Sequence, residues 1–226
     1  MKKKNKNIIL ENVSVTDYAA EGKAIARIDG KVIFISGAVP GDTADIMLTK
    51  NKKDWAEARA LRITVPAPDR VVPFCKHFGI CGGCKWQMLP YEKQLQYKQQ
   101  EAEQNLKRIG KVELPEIMPI IGCGNSAHYR NKLEFTFSNK RFLTSDEIGS
   151  ENVVTQQDAL GFHVPRIFDK VIDIFECYLM DDVNNKIRNT IRDFAKQQGF
   201  AFYDIKEHTG WLRNIIVRLC STGELM

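Results

Sequence analysis

Three cysteines fall within ten residues of this 226-residue chain, as Cys75-x5-Cys81-x2-Cys84. Of all its residues, these have the types and spacing best suited to chemistry. A thiolate is a soft, anionic ligand suited to zinc or to the irons of an iron–sulfur cluster. The short Cys81-Gly82-Gly83-Cys84 loop lets both sulfurs face one centre, and its glycines permit positive φ and close backbone approach to inorganic sulfide. A four-ligand site needs one more Cys or His, and spacing leaves Cys177, Cys123, Cys220 and His77 open. Structural zinc commonly joins two close cysteine pairs, whereas here a triplet has a distant partner. That pattern favours an iron–sulfur cluster over zinc, with free thiols as the third reading. Clustered thiols in a reducing compartment bind metal more often than they form a disulfide framework.

The elements that position these thiols belong to an ordinary globular chain, with 43% hydrophobic and 27% charged residues. The composition excludes collagen, a disulfide-dense mini-protein and a chain disordered throughout. The longest apolar run, Val32-Ile33-Phe34-Ile35, is far short of the roughly 20 residues of a membrane helix. Met1-Lys2-Lys3-Lys4 gives a positive start, but Ile8-Ile9-Leu10 is too short for a signal-peptide core. The expected location is the cytoplasm, with no membrane contact. Net charge is +5, with excesses of +4 in residues 1–65, +3 in 66–130 and −2 in 131–226. A basic first two-thirds suits a polyanion such as nucleic acid.

The pattern predicts an α+β fold. Strands are expected at 8–15, 24–28, 32–35, 43–49 and 55–65, with Asp29-Gly30 as a two-residue hairpin turn. Five short strands fit a barrel of the oligonucleotide-binding type over 1–65. Pro66-Ala67-Pro68 marks a linker, and 66–226 reads as a second, mixed α/β domain carrying the cysteine loop. A sparse, surface-lying helix is expected over 91–109, capped by Gly110. Further strands are expected at 132–137, 160–164, 171–175 and 211–219, with a polar loop at 145–158. An amphipathic helix at 181–197 presents Val183, Ile187, Ile191, Phe194 and Ala195, and Gly199 closes it. Glu224-Leu225-Met226 would begin a hairpin partner for the last strand.

The run Cys75-Lys76-His77-Phe78-Gly79-Ile80-Cys81-Gly82-Gly83-Cys84-Lys85-Trp86-Gln87 resembles the cluster motif of the bacterial RNA (uracil-5-)-methyltransferases, the 23S rRNA enzymes in particular. The preceding Glu21-Gly22-Lys23-Ala24-Ile25-Ala26-Arg27, Phe34-Ile35-Ser36-Gly37 and Val39-Pro40-Gly41-Asp42 are similar to that family's TRAM domain. Tyr129-Arg130-Asn131-Lys132 resembles a further family strand. Leu160-Gly161-Phe162 followed by Ile174-Phe175-Glu176-Cys177 resembles the segment with the fourth cluster ligand. The resemblance spans essentially the whole chain. It implies a [4Fe–4S] cluster on Cys75, Cys81, Cys84 and Cys177, with Cys123 and Cys220 as ordinary thiols. His77 is then expected to pack beside the cluster, and His128, His163 and His208 to be structural or surface residues.

The same resemblance implies an S-adenosylmethionine-dependent enzyme that forms 5-methyluridine in 23S rRNA through a cysteine nucleophile and a general base. In that family the Rossmann-like catalytic domain follows these segments, and no G-x-G-x-x-G cofactor loop is found here. The chain is therefore expected to be an inactive, monomeric N-terminal part that binds RNA and a cluster. It would hold no catalytic residue and no S-adenosylmethionine contact of its own. Lys23, Arg27, Arg130 and Lys132 are the candidate RNA contacts, together with the Lys50/Lys52/Lys53 loop and the aromatics Phe34, Trp55 and Trp86. A non-catalytic RNA-binding module with structural zinc or a cluster is the alternative. A radical methylthiotransferase fits less well, because its Cys-x3-Cys-x2-Cys spacing departs from Cys75-x5-Cys81 by two residues.

Overall fold

A computed structural model describes residues 8–148 and 157–226. The polar loop expected at 145–158 lies largely outside the described residues; its first four positions form a short helix, α2 (Ser145–Ile148), the next after α1 (Tyr91–Gln104). Contacts group the chain into two compact units, one of 1–74 with 85–122, the other of 75–84 with 123–226. This grouping differs from a single boundary at residue 65.

The first unit is built on a six-stranded sheet: β1 (Ile9–Ser14), β2 (Asp17–Ala19), β3 (Lys23–Ile28), β4 (Lys31–Ser36), β5 (Thr43–Asn51) and β6 (Trp55–Val65). The order is β1-β5-β6-β4-β3-β2, antiparallel except for the β4–β6 pair. The sequence pattern pointed to five strands. The sixth, β2, has three residues, too few to show an alternation. Alternate residues fill the interior, with small side chains opposite large ones: Ala24 pairs with Ile35, Ala26 with Ile33 and Ala60 with Ile46. Such pairing fills the interior of a small sheet without leaving voids. Asp29 (φ 48°) and Gly30 (φ 78°) form the expected tight turn between β3 and β4.

Asp42 ties the end of β6 to this core. Its carboxylate is buried and accepts hydrogen bonds from the N–H groups of Val39 (2.8 Å) and Ala67 (2.9 Å), and from Arg70 Nη1 (2.5 Å). Helix α1 (Tyr91–Gln104) buries no residue, as its sparse apolar pattern implied. It is held by Tyr97 against Tyr18 (4.6 Å between ring centres) and by Lys93 to Asp69 (2.9 Å). Trp86 also packs on Tyr18, at 5.3 Å, and lies over Gly22, where a Cβ would meet the indole nitrogen at 2.5 Å. The helix continues as a π turn over Asn105–Ile109. Gly110 does not take the left-handed cap expected of it (φ −71°). Lys111 supplies the positive φ instead, at 52°.

The second unit has an antiparallel sheet of order β10-β7-β8-β9, from β7 (Lys132–Ser138), β8 (Ala159–Val164), β9 (Ile167–Asp173) and β10 (Asn214–Arg218). Strand β9 starts four residues earlier than the sequence implied, and β10 is shorter than 211–219. Leu133, Phe135 and Phe137 all point into the core, as their alternation required, with Phe137 edge-on to Phe202 at 4.9 Å. Helix α3 (Val183–Gln197) ends at Gly199 (φ 69°), with the Phe200 N–H bonded to the Ala195 carbonyl. Past β10 the chain turns back, and Met226 and Arg218 exchange backbone hydrogen bonds at 3.0 and 2.8 Å.

Candidate metal centre

The first three thiols sit on a tightly wound loop of the second unit. Phe78 N–H donates to the Cys75 carbonyl (3.0 Å), and the N–H groups of Ile80 and Cys81 both donate to the His77 carbonyl (3.2 and 2.9 Å). These bonds coil residues 75–81 into one turn. The Gly83 N–H then points at Cys81 Sγ, 3.3 Å away. A Cβ on Gly83 would stand 3.4 Å from that sulfur, so the glycine leaves its flank open.

Cys177 comes from the irregular segment between β9 and α3, which leaves the sheet after the Ile174 N–H donates to the Leu160 carbonyl at 3.2 Å. A buried polar backbone needs partners, and α3 supplies them. Arg188 Nε and Arg192 Nη1 donate to the Ile174 carbonyl at 2.9 and 3.2 Å. Asn189 Nδ2 donates to the Phe175 carbonyl at 3.0 Å, and Asn184 Nδ2 to that of Met180 at 3.0 Å. Asn185 Oδ1 accepts from the Cys177 N–H at 2.8 Å. The helix therefore turns its polar stripe inward: Asn184, Arg188 and Arg192, at i, i+4 and i+8, are buried. The apolar stripe expected to face the core is only partly inside. Ala195 is buried and Ile187 packs on the core, but Ile191 and Phe194 are 36% and 54% exposed. The Asn184–Arg188–Arg192 spacing was the available signal, and a hydrophobic reading passes over it.

The four thiols act on one another. Burial pushes the Cys81 thiol up to about 11. The Gly83 N–H pulls it back, and negative charge on Cys177, Cys84 and Cys75 pushes it further up. Cys177 is likewise raised by burial. It is lowered by the Leu179 N–H and the Arg188 guanidinium, and raised by Cys84 and Cys75. All six cysteines are in the thiol form; Cys177 is buried, Cys75, Cys81 and Cys84 half-buried, and Cys123 and Cys220 exposed. Among the described residues, no three His, Cys, Asp or Glu side chains are drawn together tightly enough to chelate one ion. His77 is half-buried inside the loop, its Nδ1 has no hydrogen-bond partner among the described residues, and burial lowers its pKa. An open groove of about 360 Å³ adjoins the loop, lined by Gly82, Gly83, Glu134, Thr136, Phe162 and His163.

The basic candidates fall in different places. In the first unit, Lys23 pairs with Glu57 (3.5 Å) and Glu21 (3.6 Å), and Arg27 is exposed on β3. In the second unit, Arg130 is exposed and its N–H donates to the Leu179 carbonyl (2.8 Å), while Lys132 lies 3.9 Å from Glu134. Lys50 Nζ stands 4.7 Å over the Trp55 ring, which meets Phe34 edge-on at 6.4 Å, so one face of the first sheet carries two half-buried aromatics and a cation.

Comparison with known proteins bears on this arrangement. Residues 11–61 match the TRAM domain family. A Bacteroides thetaiotaomicron protein named as an uncharacterized RNA methyltransferase is 53% identical over 208 residues, covering 92% of this chain and 46% of that protein. A Porphyromonas gingivalis protein of the same name is 45% identical, covering 95% and 47%. The chain thus spans about half the length of the curated relatives it matches. Among solved structures, the Pyrococcus abyssi tRNA (uracil-54, C5)-methyltransferase, bound to S-adenosyl-L-homocysteine, superposes with a TM-score of 0.60. That match has 23% identity and covers 95% of this chain and 44% of that one. The mixed α+β fold is shared with that structure.

Proposed function

We propose that this chain is the RNA- and cluster-binding part of an S-adenosylmethionine-dependent RNA (uracil-5-)-methyltransferase acting on 23S rRNA, and that Cys75, Cys81, Cys84 and Cys177 hold a [4Fe–4S] cluster. The observation that carries this reading is that Cys75, Cys81 and Cys84 share one tightly wound loop and that Cys177, buried on a distant segment, belongs to the same compact unit. The residues fit such a group. The donor set is all sulfur, the Gly83 and Leu179 N–H groups already point at two of the sulfurs, and Gly83 leaves space beside one. The names of the relatives support RNA methylation, and the TRAM match supports RNA as the partner.

In this reading the chain's own residues bind and orient RNA, and the protein is monomeric. The cluster supplies rigidity: it would lock the 75–84 loop to the segment preceding α3. S-adenosylmethionine supplies an electrophilic methyl group, and the nucleophile and base that use it lie in the remainder of the longer protein. Lys23, Arg27, Arg130 and Lys132 are the proposed phosphate or base contacts, with Trp55 and Phe34 offering faces on which bases stack.

The test has two arms. Anaerobically purified protein should be brown and hold about four irons and four sulfides per chain; stoichiometric zinc without sulfide would overturn the cluster. The longer protein should transfer methyl groups to uridine C5 in 23S rRNA, read by mass spectrometry of nuclease fragments. The 226-residue chain should bind RNA with a steep salt dependence and transfer none. Methylation of tRNA with rRNA untouched would overturn the substrate.

A further inference from the structure

The second unit buries a full positive charge that no carboxylate among the described residues pairs with. Arg188 is 0% exposed, yet its guanidinium donates only to neutral acceptors: Ile174 O (2.9 Å), Asn184 Oδ1 (3.0 Å) and Asn185 Oδ1 (2.8 Å). Its flat face lies 4.7 Å from the centre of the Phe135 ring. Among the described residues no carboxylate stands within ion-pair distance of it. The acid within its electrostatic reach, Asp173, is engaged by Arg192 (3.6 Å), Lys196 (3.8 Å) and the Leu160 N–H (3.0 Å). Burying a cation this way costs several kcal/mol unless an opposite charge is near.

Arg188 lies one side chain away from Cys177, a proposed ligand whose sulfur turns anionic when it binds a metal. The two are also mechanically joined, since Asn185 Oδ1 accepts from both the Cys177 N–H and Arg188 Nη2. Four thiolates around one bound group repel one another, and even with iron and sulfide between them a four-thiolate site keeps net negative charge. A fixed cation behind one ligand offsets that charge without becoming a ligand. Arginine suits the place because its guanidinium stays protonated and its planar fork can satisfy several acceptors at once.

We propose that Arg188 is a positioning residue for the four-cysteine site, the buried countercharge that stabilises its bound group through Cys177, with Asn185 as the link. This rests on the cluster reading above. It makes two predictions that a purely structural role does not: the cluster's midpoint potential depends on the charge at position 188, and a second cation there rescues it.

The experiment uses the 226-residue chain, reconstituted anaerobically with iron and sulfide, in wild-type, Arg188→Lys, Arg188→Gln and Asn185→Asp forms. Iron and sulfide content, the rate of iron release to a chelator, and the midpoint potential are measured. In Arg188→Gln the cluster should be lost about tenfold faster or more, and its potential should move negative. Arg188→Lys should restore most of both. Asn185→Asp keeps the acceptor for Cys177 and Arg188 but adds a compensating negative charge, so it should shift the potential in the same direction as Arg188→Gln. It also decides the matter if Arg188→Gln does not fold. Equal behaviour of the Lys and Gln variants, or an unmoved potential in Asn185→Asp, overturns the proposal. A wild-type chain that takes up no iron and sulfide overturns the cluster reading itself, and is seen before any variant is made.

Discussion

The side chain of Asn185 closes a ring with the backbone of Cys177: its Oδ1 accepts the Cys177 N–H at 2.8 Å, and its Nδ2 faces the Cys177 carbonyl at 3.4 Å. One residue at the start of α3 thus fixes the orientation of a thiol on a segment with no regular structure. Replacing Asn185 with Ala removes an acceptor shared by Cys177 and Arg188. The expected loss is about 1–3 kcal/mol, measured as a lower urea midpoint by near-ultraviolet circular dichroism. An unchanged midpoint would show that solvent replaces both bonds.

Cys177 and the exposed thiols should separate cleanly. Cys177→Ser should lose bound iron and sulfide, whereas Cys123→Ser and Cys220→Ser should retain the wild-type content. Iron and acid-labile sulfide assays on the three proteins decide it, and loss in Cys123→Ser would point to a different fourth ligand.

Asp42 should be the most sensitive polar position of the first unit. Asp42→Ala leaves two N–H groups and the Arg70 guanidinium without their acceptor. A destabilisation of about 3 kcal/mol is expected, read from the unfolding transition of the first sheet. Asp42→Asn should recover only part of it.

The aromatic face should report RNA contact. Trp55→Ala should weaken binding of single-stranded RNA by about 1–3 kcal/mol if a base stacks there, with little change in salt dependence. Lys50→Ala should instead lower the slope of log affinity against log salt by about one. Fluorescence anisotropy over a salt series separates the two, and wild-type affinity in both variants would remove this face from the interface.

Stability should fall at acid pH through Asp204. Bonds from Lys140 (2.7 Å) and Asn139 (3.0 Å), with the Lys206 and Glu207 N–H groups, hold its carboxyl well below the usual carboxylate range. A lowered folded pKa means that its contribution is complete above the unfolded value, near 3.9, and is lost as pH drops below it. Asp204→Asn should flatten this acid limb in thermal melts recorded between pH 2 and 6, while the neutral limb keeps its shape.

Much of the local structure was legible in residue order, because alternation and turn chemistry act over a few residues. Leu133, Phe135 and Phe137 share a buried face, Asp29-Gly30 makes its turn, and Gly199 closes α3. The spacing of Cys75, Cys81 and Cys84 is the basis on which soft-ligand chemistry is proposed. Other features depended on contacts no short window contains. Strand β2 exists because Asp17–Ala19 finds β3, and Gly110 ceded its cap to Lys111.

The decisive case is α3. Its sequence determined a helix with one apolar and one polar stripe, but not which stripe turns inward. That depended on what it packs against: an irregular segment, 174–180, whose carbonyl and N–H groups need hydrogen-bond partners more than they need apolar cover. Spacing likewise left four candidates for the fourth ligand, and a family resemblance singled out Cys177. Only the tertiary structure brought Cys177 near enough to raise the Cys81 pKa, with the buried Arg188 guanidinium linked to it through Asn185. Electrostatic coupling between residues a hundred positions apart is a property of distance in space, and sequence order does not contain it.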